Sequence, residues 1–361
     1  MKNIPIVLCC LLVLQVVKAQ HILKPGFDAK EYLQMLDVFE MQNSDTLKKR
    51  PVLPSLAKCE FIYQSGNVGM YNRFDVWKRS DNVGIICIRG TIGKPESWME
   101  NFYCAMIPAT GSLQLSNNTV FNYKLAADST AKVAVGWTVG LGFMAPLMIG
   151  QIKNLYNTGV REIIIIGHSQ GGALAFLTRS FLEYCPDVPK DIHYKTYASA
   201  PPKPGNMYYA YDLDYITRGG WALRVSNSAD WVPETPFSIQ TLNELNPANP
   251  LVDIEKLMGR QKFFIRWYVN SMFRKLDRSS RKAMKRYQKY LGTKVSILVK
   301  RYLKEYKKPQ YANSMNYMTA GTPVILMAND AYKSKFIYDG KNIFVHHVLG
   351  PYRFLVNAIY P

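Results

Sequence analysis

The stretch from Ile163 to Leu177, IIIIGHSQGGALAFL, restricts the fold more than any other part of the chain. Its four consecutive isoleucines read as a strand buried on both faces, as in the middle of a parallel sheet. Ala173, Leu174, Phe176 and Leu177 then recur at helical spacing. Only Gly167, His168, Ser169, Gln170 and Gly171 lie between, so the strand-to-helix turn is sharp, and its glycines relieve the crowding. Such a turn lifts Ser169 off the sheet and holds it at a helix N-terminus, where free N–H groups favour developing negative charge. This is G-x-S-x-G in the strand–turn–helix context that the motif requires, and Ser169 is the candidate nucleophile.

The rest of the chain supports the same class. Helix patterns over Phe27 to Leu47 and Ser129 to Asn157 alternate with strand patterns at "VGIICI", "HYKTYAS" and "ALRVSNSA". That alternation predicts an α/β fold, a mostly parallel sheet flanked by helices. The 361 residues suffice for one large domain. Residues 1–19 carry a positive start, a short apolar run and the exit Val17-Lys18-Ala19, the pattern of a secretory signal peptide. The expectation is export, secreted or periplasmic, with residues 20–361 forming the domain. No later apolar run reads as long enough to span a membrane. Cys59, Cys87, Cys104 and Cys185 form no C-x-x-C and no His/Cys metal spacing. No disulfide, metal or cofactor is expected.

Charge divides the chain. Of a formal +19, Asp253 to Lys308 alone contributes 18 Lys/Arg against 4 Asp/Glu, leaving the remainder near neutral. One helical insertion, about 245–312, therefore carries the basicity. Ile265, Val269, Met272 and Leu276 mark an apolar helical stripe in it. Two readings stand: solvated amphipathic helices resting on the domain, or peripheral contact with an anionic lipid surface. No nucleic-acid partner is expected, because the segment carries no familiar motif and export removes it from the cytoplasm.

A serine needs a base. After the leader the histidines are His21, His168, His193, His346 and His347. His346 and His347 follow "NIFV", read as a late strand, and neighbours on extended backbone point to opposite sides, so only one can face Ser169. His168 lies beside the serine but should point elsewhere. Asp230 follows a strand and opens the proline-held loop "WVPETP", so it is the candidate acid. Ser169, Asp230, histidine is the chain order expected for a hydrolase elbow.

These residues resemble the class 3 lipases, the fungal-type branch of the α/β-hydrolase fold. The resemblance rests on "IICIRGT", "VAVGW", "GHSQGGALA", "ASAPPKPGN" and "RVSNSADWVPETP". It implies an α/β-hydrolase core with the basic insertion between catalytic acid and histidine, and a bacterial-type exported enzyme. The family spacing of five from histidine to tyrosine fits His347 with Tyr352 and selects His347. The resemblance also implies an oxyanion hole from Gln170 N–H and Thr91, with Arg89 a structural brace. It implies a lipid ester substrate cleaved through an acyl-enzyme: acylglycerols, or alternatively phospholipid or another ester, or less readily a non-catalytic lipid-binding homologue. Residues 106–124 occupy the place where the family carries a lid, and their composition suits either a mobile cover or an ordinary loop. Ala134 and Asn101 depart from the family, which carries His and often Asp there.

Overall fold

The computed structural model describes residues 21–42, 53–246, 248–249, 251 and 258–361. The expected signal peptide lies outside them. Seven strands build the central sheet: β1 Cys59–Gln64, β2 Phe74–Arg79, β3 Val83–Ile88, β4 Glu162–His168, β5 His193–Ser199, β6 Ala222–Asn227 and β7 Thr322–Leu326. They lie side by side in chain order. β1, β2 and β3 pair antiparallel, and every pairing from β3 to β7 is parallel.

The period of two along β4 explains its isoleucines. Ile163 and Ile165 enter one core, beneath α3 (Val135–Asn157) and α4 (Gln170–Tyr184). Ile164 and Ile166 enter the other, beneath α1 (Ala29–Gln42) and the C-terminal helix Leu349–Ile359. All four are fully buried, each worth about 1.5–3 kcal/mol on removal from water. A strand covered on both faces cannot alternate with polar residues, hence the unbroken run. The fold is that of an α/β hydrolase.

Four expectations shift. The helix read over Ser129 to Asn157 begins only at Val135, because Lys132–Ala134 first makes a short strand. That helix is long and apolar enough to cross a membrane by length and composition, contrary to the sequence reading, yet 67% of its apolar window is buried in the protein. Residues 106–124 are not a loose cover. Thr110–Ser116 and Thr119–Lys124 form an antiparallel hairpin with Leu113, Leu115 and Phe121 buried, and the Phe121 ring lies 5.4 Å from that of Phe181 on α4. Finally, "NIFV" is not a strand. Residues 341–347 run through turns, with His347 N–H donating to Phe344 O at 2.9 Å.

Among the described residues of the basic insertion, 263–302 are helical. α6 (counting α2 Pro95–Phe102 and α5 Met207–Ile216) spans Phe263–Tyr287, continues through a π-helical turn at Gln288–Lys294, and ends in α7, Val295–Tyr302. Leu291 lies in this π turn, and its carbonyl faces the segment after α2. It accepts from the N–H groups of Cys104 (2.9 Å) and Ala105 (3.3 Å). A Cβ at Gly292 would stand 2.7 Å from that of Ala105, so a residue without one lets the turn dock. Met284 is the one buried residue of α6, whose earlier turns stand out from the domain.

Candidate active site

Ser169 sits where β4 becomes α4. Its backbone has φ 61° and ψ −129°, a region that costs a non-glycine residue about 1–3 kcal/mol. The neighbours make the turn possible: a Cβ on Gly167 would fall 2.0 Å from Gly171 O, and one on Gly171 would fall 2.3 Å from Ile88 O. The Ser169 N–H is tied to Ser199 O of β5 at 2.9 Å. The side chain opens into a cavity of about 680 Å³. Its walls are largely apolar and include the rings of Phe39, Trp98, Phe102, Trp231, Phe237 and Phe344.

His347 lines the same cavity and is buried. Its Nδ1 lies 2.7 Å from Asp230 Oδ2. The carboxylate can only accept there, so Nδ1 carries the proton and Nε2 is left as the base. Asp230 is buried too; Oδ1 accepts from Val232 N–H at 3.0 Å, and Oδ2 also takes the Tyr352 hydroxyl at 2.8 Å. His346 turns away, its Nδ1 2.9 Å from the Tyr332 hydroxyl. Ser169 Oγ has no hydrogen-bond partner among the described residues, a common state of catalytic groups before substrate tightens their geometry.

Gln170 and Thr91, expected at the oxyanion position, both border Ser169. Thr91 Oγ1 donates to Gln170 Oε1 at 2.8 Å and accepts from Asn101 Nδ2 at 2.7 Å. Asn101 Oδ1 in turn accepts from Trp137 Nε1 at 3.1 Å. An amide suits this place because it donates on one side and accepts on the other, whereas a carboxylate would only accept. Behind this chain lies Glu100, fully buried, receiving Asn72 Nδ2 at 2.5 Å. Burial pushes its carboxyl up to about 8, against smaller opposing effects of hydrogen bonds from Asn72 and Gln170. Arg89 braces the adjoining loop through Asn67 Oδ1 and Tyr71 O, both at 2.6 Å.

Sequence reasoning passed over His168. Its Nε2 meets the backbone carbonyl of His347 at 2.7 Å, so that nitrogen must donate. Nδ1 then accepts from the Ser199 hydroxyl at 2.9 Å, which accepts from Tyr32 at 2.6 Å. Burial first, and then nearby His347, hold the His168 ring neutral, well below the ordinary histidine range. The ring thus ties the histidine loop to the elbow strand. Its signal was its place inside the elbow. Also missed was α2, which supplies Trp98, Asn101 and Phe102 to the cavity wall, a position the sequence reading assigned to 106–124. Among the described residues, no group of three or more His, Cys, Asp or Glu could hold a metal ion.

A strained serine that shares a cavity with an aspartate-supported histidine is the arrangement with which α/β hydrolases cleave esters. Residues 85–240, somewhat under half of the chain, match the family model for lipase (class 3). The search of curated proteins gave no match. Among solved structures, the chain is similar to a fungal lipase in an inhibitor complex used to model interfacial activation (17% identity, 58% of this chain and 74% of that one, TM-score 0.47). It is also similar to a lipase from Rhizopus microsporus var. chinensis (16%, 59% and 71%, 0.44) and to lipase II from Rhizopus niveus (17%, 58% and 74%, 0.42).

Proposed function

We propose that the chain is an exported serine lipase that hydrolyses acylglycerols through an acyl-enzyme. The observation carrying this reading is the 2.7 Å contact of His347 Nδ1 with buried Asp230, in a ring that shares an aromatic cavity with Ser169. In the proposed reaction His347 Nε2 takes the Ser169 hydroxyl proton while Oγ attacks the ester carbonyl carbon. The tetrahedral oxyanion is met by Gln170 N–H and by Thr91. His347 returns the proton to the departing alkoxide, which leaves as the alcohol. Water, deprotonated by the same ring, then cleaves the acyl-Ser169 bond and releases the fatty acid.

The substrate assignment follows from the walls. A cavity of this size lined by seven phenylalanine and tryptophan side chains favours an acyl chain, and its polar groups suit the ester carbonyl rather than a charged substrate. Export is supported by the leader pattern of residues 1–19. The basic insertion adds that the enzyme works on anionic lipid surfaces. A chain-length series of nitrophenyl esters tests the reading: turnover should rise from acetyl to medium and long acyl groups and vanish in Ser169→Ala. A flat series, or turnover surviving in that variant, would contradict it.

A further inference from the structure

The outer face of α6 carries a pattern that repeats after five turns. Phe263, Phe264, Trp267 and Tyr268 stand eighteen residues before Arg281, Lys282, Lys285 and Arg286, respectively. Eighteen residues are five turns of an α-helix, about 27 Å along the axis. Four aromatics and four cations therefore share one side of the helix, aromatics at the far end and cations toward the domain. All eight are exposed. The stripe Ile265, Val269, Met272 and Leu276 lies on another side and is itself mostly exposed, and the one buried residue of the helix, Met284, stands on a third line along it. The exposed face thus contributes little to the fold.

The helix is rooted at the cavity. Four residues after the end of α6 comes Leu291, itself a cavity wall. The ring of Tyr287, the last residue of α6, stands 5.5 Å from that of Phe237, which is exposed and lines the cavity. Phe102, Trp231 and Val348 are likewise exposed cavity-lining residues.

We propose that this face of α6 docks the enzyme on an anionic lipid surface. Phe263, Phe264, Trp267 and Tyr268 enter the head-group layer, and Lys282, Lys285, Arg286 and their neighbours meet lipid phosphates. The proposal deepens the lipase reading and rests on it for the purpose of docking. Charge complementarity selects the partner: α6 holds eight Lys/Arg against one acid, Asp277, which is paired with Arg281. On this face the aromatics precede the cations, an order that favours lipid over nucleic acid, where stacking rings interleave with the charges that track a backbone. Aromatics with a basic shaft are the composition of helices that lie in the interface.

The test is cosedimentation of the full chain carrying Ser169→Ala, so that the lipid is not consumed. Vesicles are phosphatidylglycerol with phosphatidylcholine, or phosphatidylcholine alone. Binding to the anionic vesicles should be at least about tenfold tighter, and should weaken as salt rises and the screening length falls below about 10 Å. Two variant sets, Lys282→Glu with Lys285→Glu and Arg286→Glu, and Phe264→Ser with Trp267→Ser, should each weaken it about tenfold or more, since both contributions are needed for stable binding. The same sets in the chain with Ser169 intact should hydrolyse a soluble short-chain ester within about twofold of the parent, because the altered side chains face solvent away from the catalytic groups. Equal binding to both vesicle types, unchanged binding after charge reversal, or a dimer in light scattering that Trp267→Ser dissolves would overturn the proposal. So would tighter binding to RNA than to vesicles. Docking is read without turnover, so a parent inactive on every ester would remove the proposed function while leaving the docking result to stand or fall alone.

Discussion

The Tyr352 hydroxyl donates to Asp230 Oδ2 at 2.8 Å, the same oxygen that receives His347 Nδ1. It also accepts from the Asn227 N–H at 3.1 Å, which fixes the direction of its proton. One carboxylate oxygen thus serves ring and phenol together, and the spacing of five between His347 and Tyr352 is the consequence of a turn running into the C-terminal helix. Tyr352→Phe should leave the fold intact and lower kcat on a soluble ester about tenfold, with KM little changed, since a charge-assisted hydrogen bond is worth about 1.5–3 kcal/mol. A change confined to KM would show that the phenol does not act through Asp230.

His347→Ala should abolish turnover, whereas His346→Ala should keep most of it. The ring of His346 faces Tyr332, and its backbone carbonyl takes Asn227 Nδ2 at 3.0 Å, a bond that survives the substitution. Steady-state kinetics on the two variants separates them; the reverse pattern would move the base to His346.

These two histidines show how far the sequence could be read. Their opposite directions were expected from an extended backbone, but a turn produces them, because residues 341–347 pair with no strand. The sheet was legible because β4 is buried on both faces and its hydrocarbon run has one simple explanation. Ser169 was legible because few sequences allow so sharp a turn. His168 was not, since the tie from its ring to the His347 carbonyl spans 179 residues and uses a backbone acceptor that no side-chain pattern records. The role of α2 was hidden similarly. Nothing in "PESWMENF" distinguishes a cavity wall from a surface helix, while the small and polar residues of 106–124 read as a loop before their strand pairing is known.

Thr91→Val removes the hydroxyl between Gln170 Oε1 and Asn101 Nδ2 while keeping the backbone N–H. kcat should fall by about tenfold to a hundredfold, short of the full loss of an oxyanion donor, with the melting temperature nearly unchanged. A variant at parental kcat would exclude the hydroxyl from the reaction.

Glu100 supplies a pH prediction. Its folded value of about 8 lies above the ordinary 4.5, so the folded state holds a proton that the unfolded state releases. The associated stability is complete below pH 4.5 and is lost as pH rises through 8. Relative to Glu100→Gln, the parent should therefore lose about 1.4 kcal/mol per pH unit across that window. Urea unfolding of both proteins at pH 6 and pH 8 measures the difference. A gap that stays constant would mean that the carboxyl is ionised in the folded protein throughout.

The most direct test of the account is covalent labelling with a fluorophosphonate carrying a long alkyl chain. Intact protein mass should rise by one adduct, peptide mapping should place it on Ser169, and Ser169→Ala and His347→Ala should stay unlabelled while melting as the parent does. Labelling at another residue, or undiminished labelling of Ser169→Ala, would contradict the claim that the strained turn between β4 and α4 presents the nucleophile of an ester hydrolase.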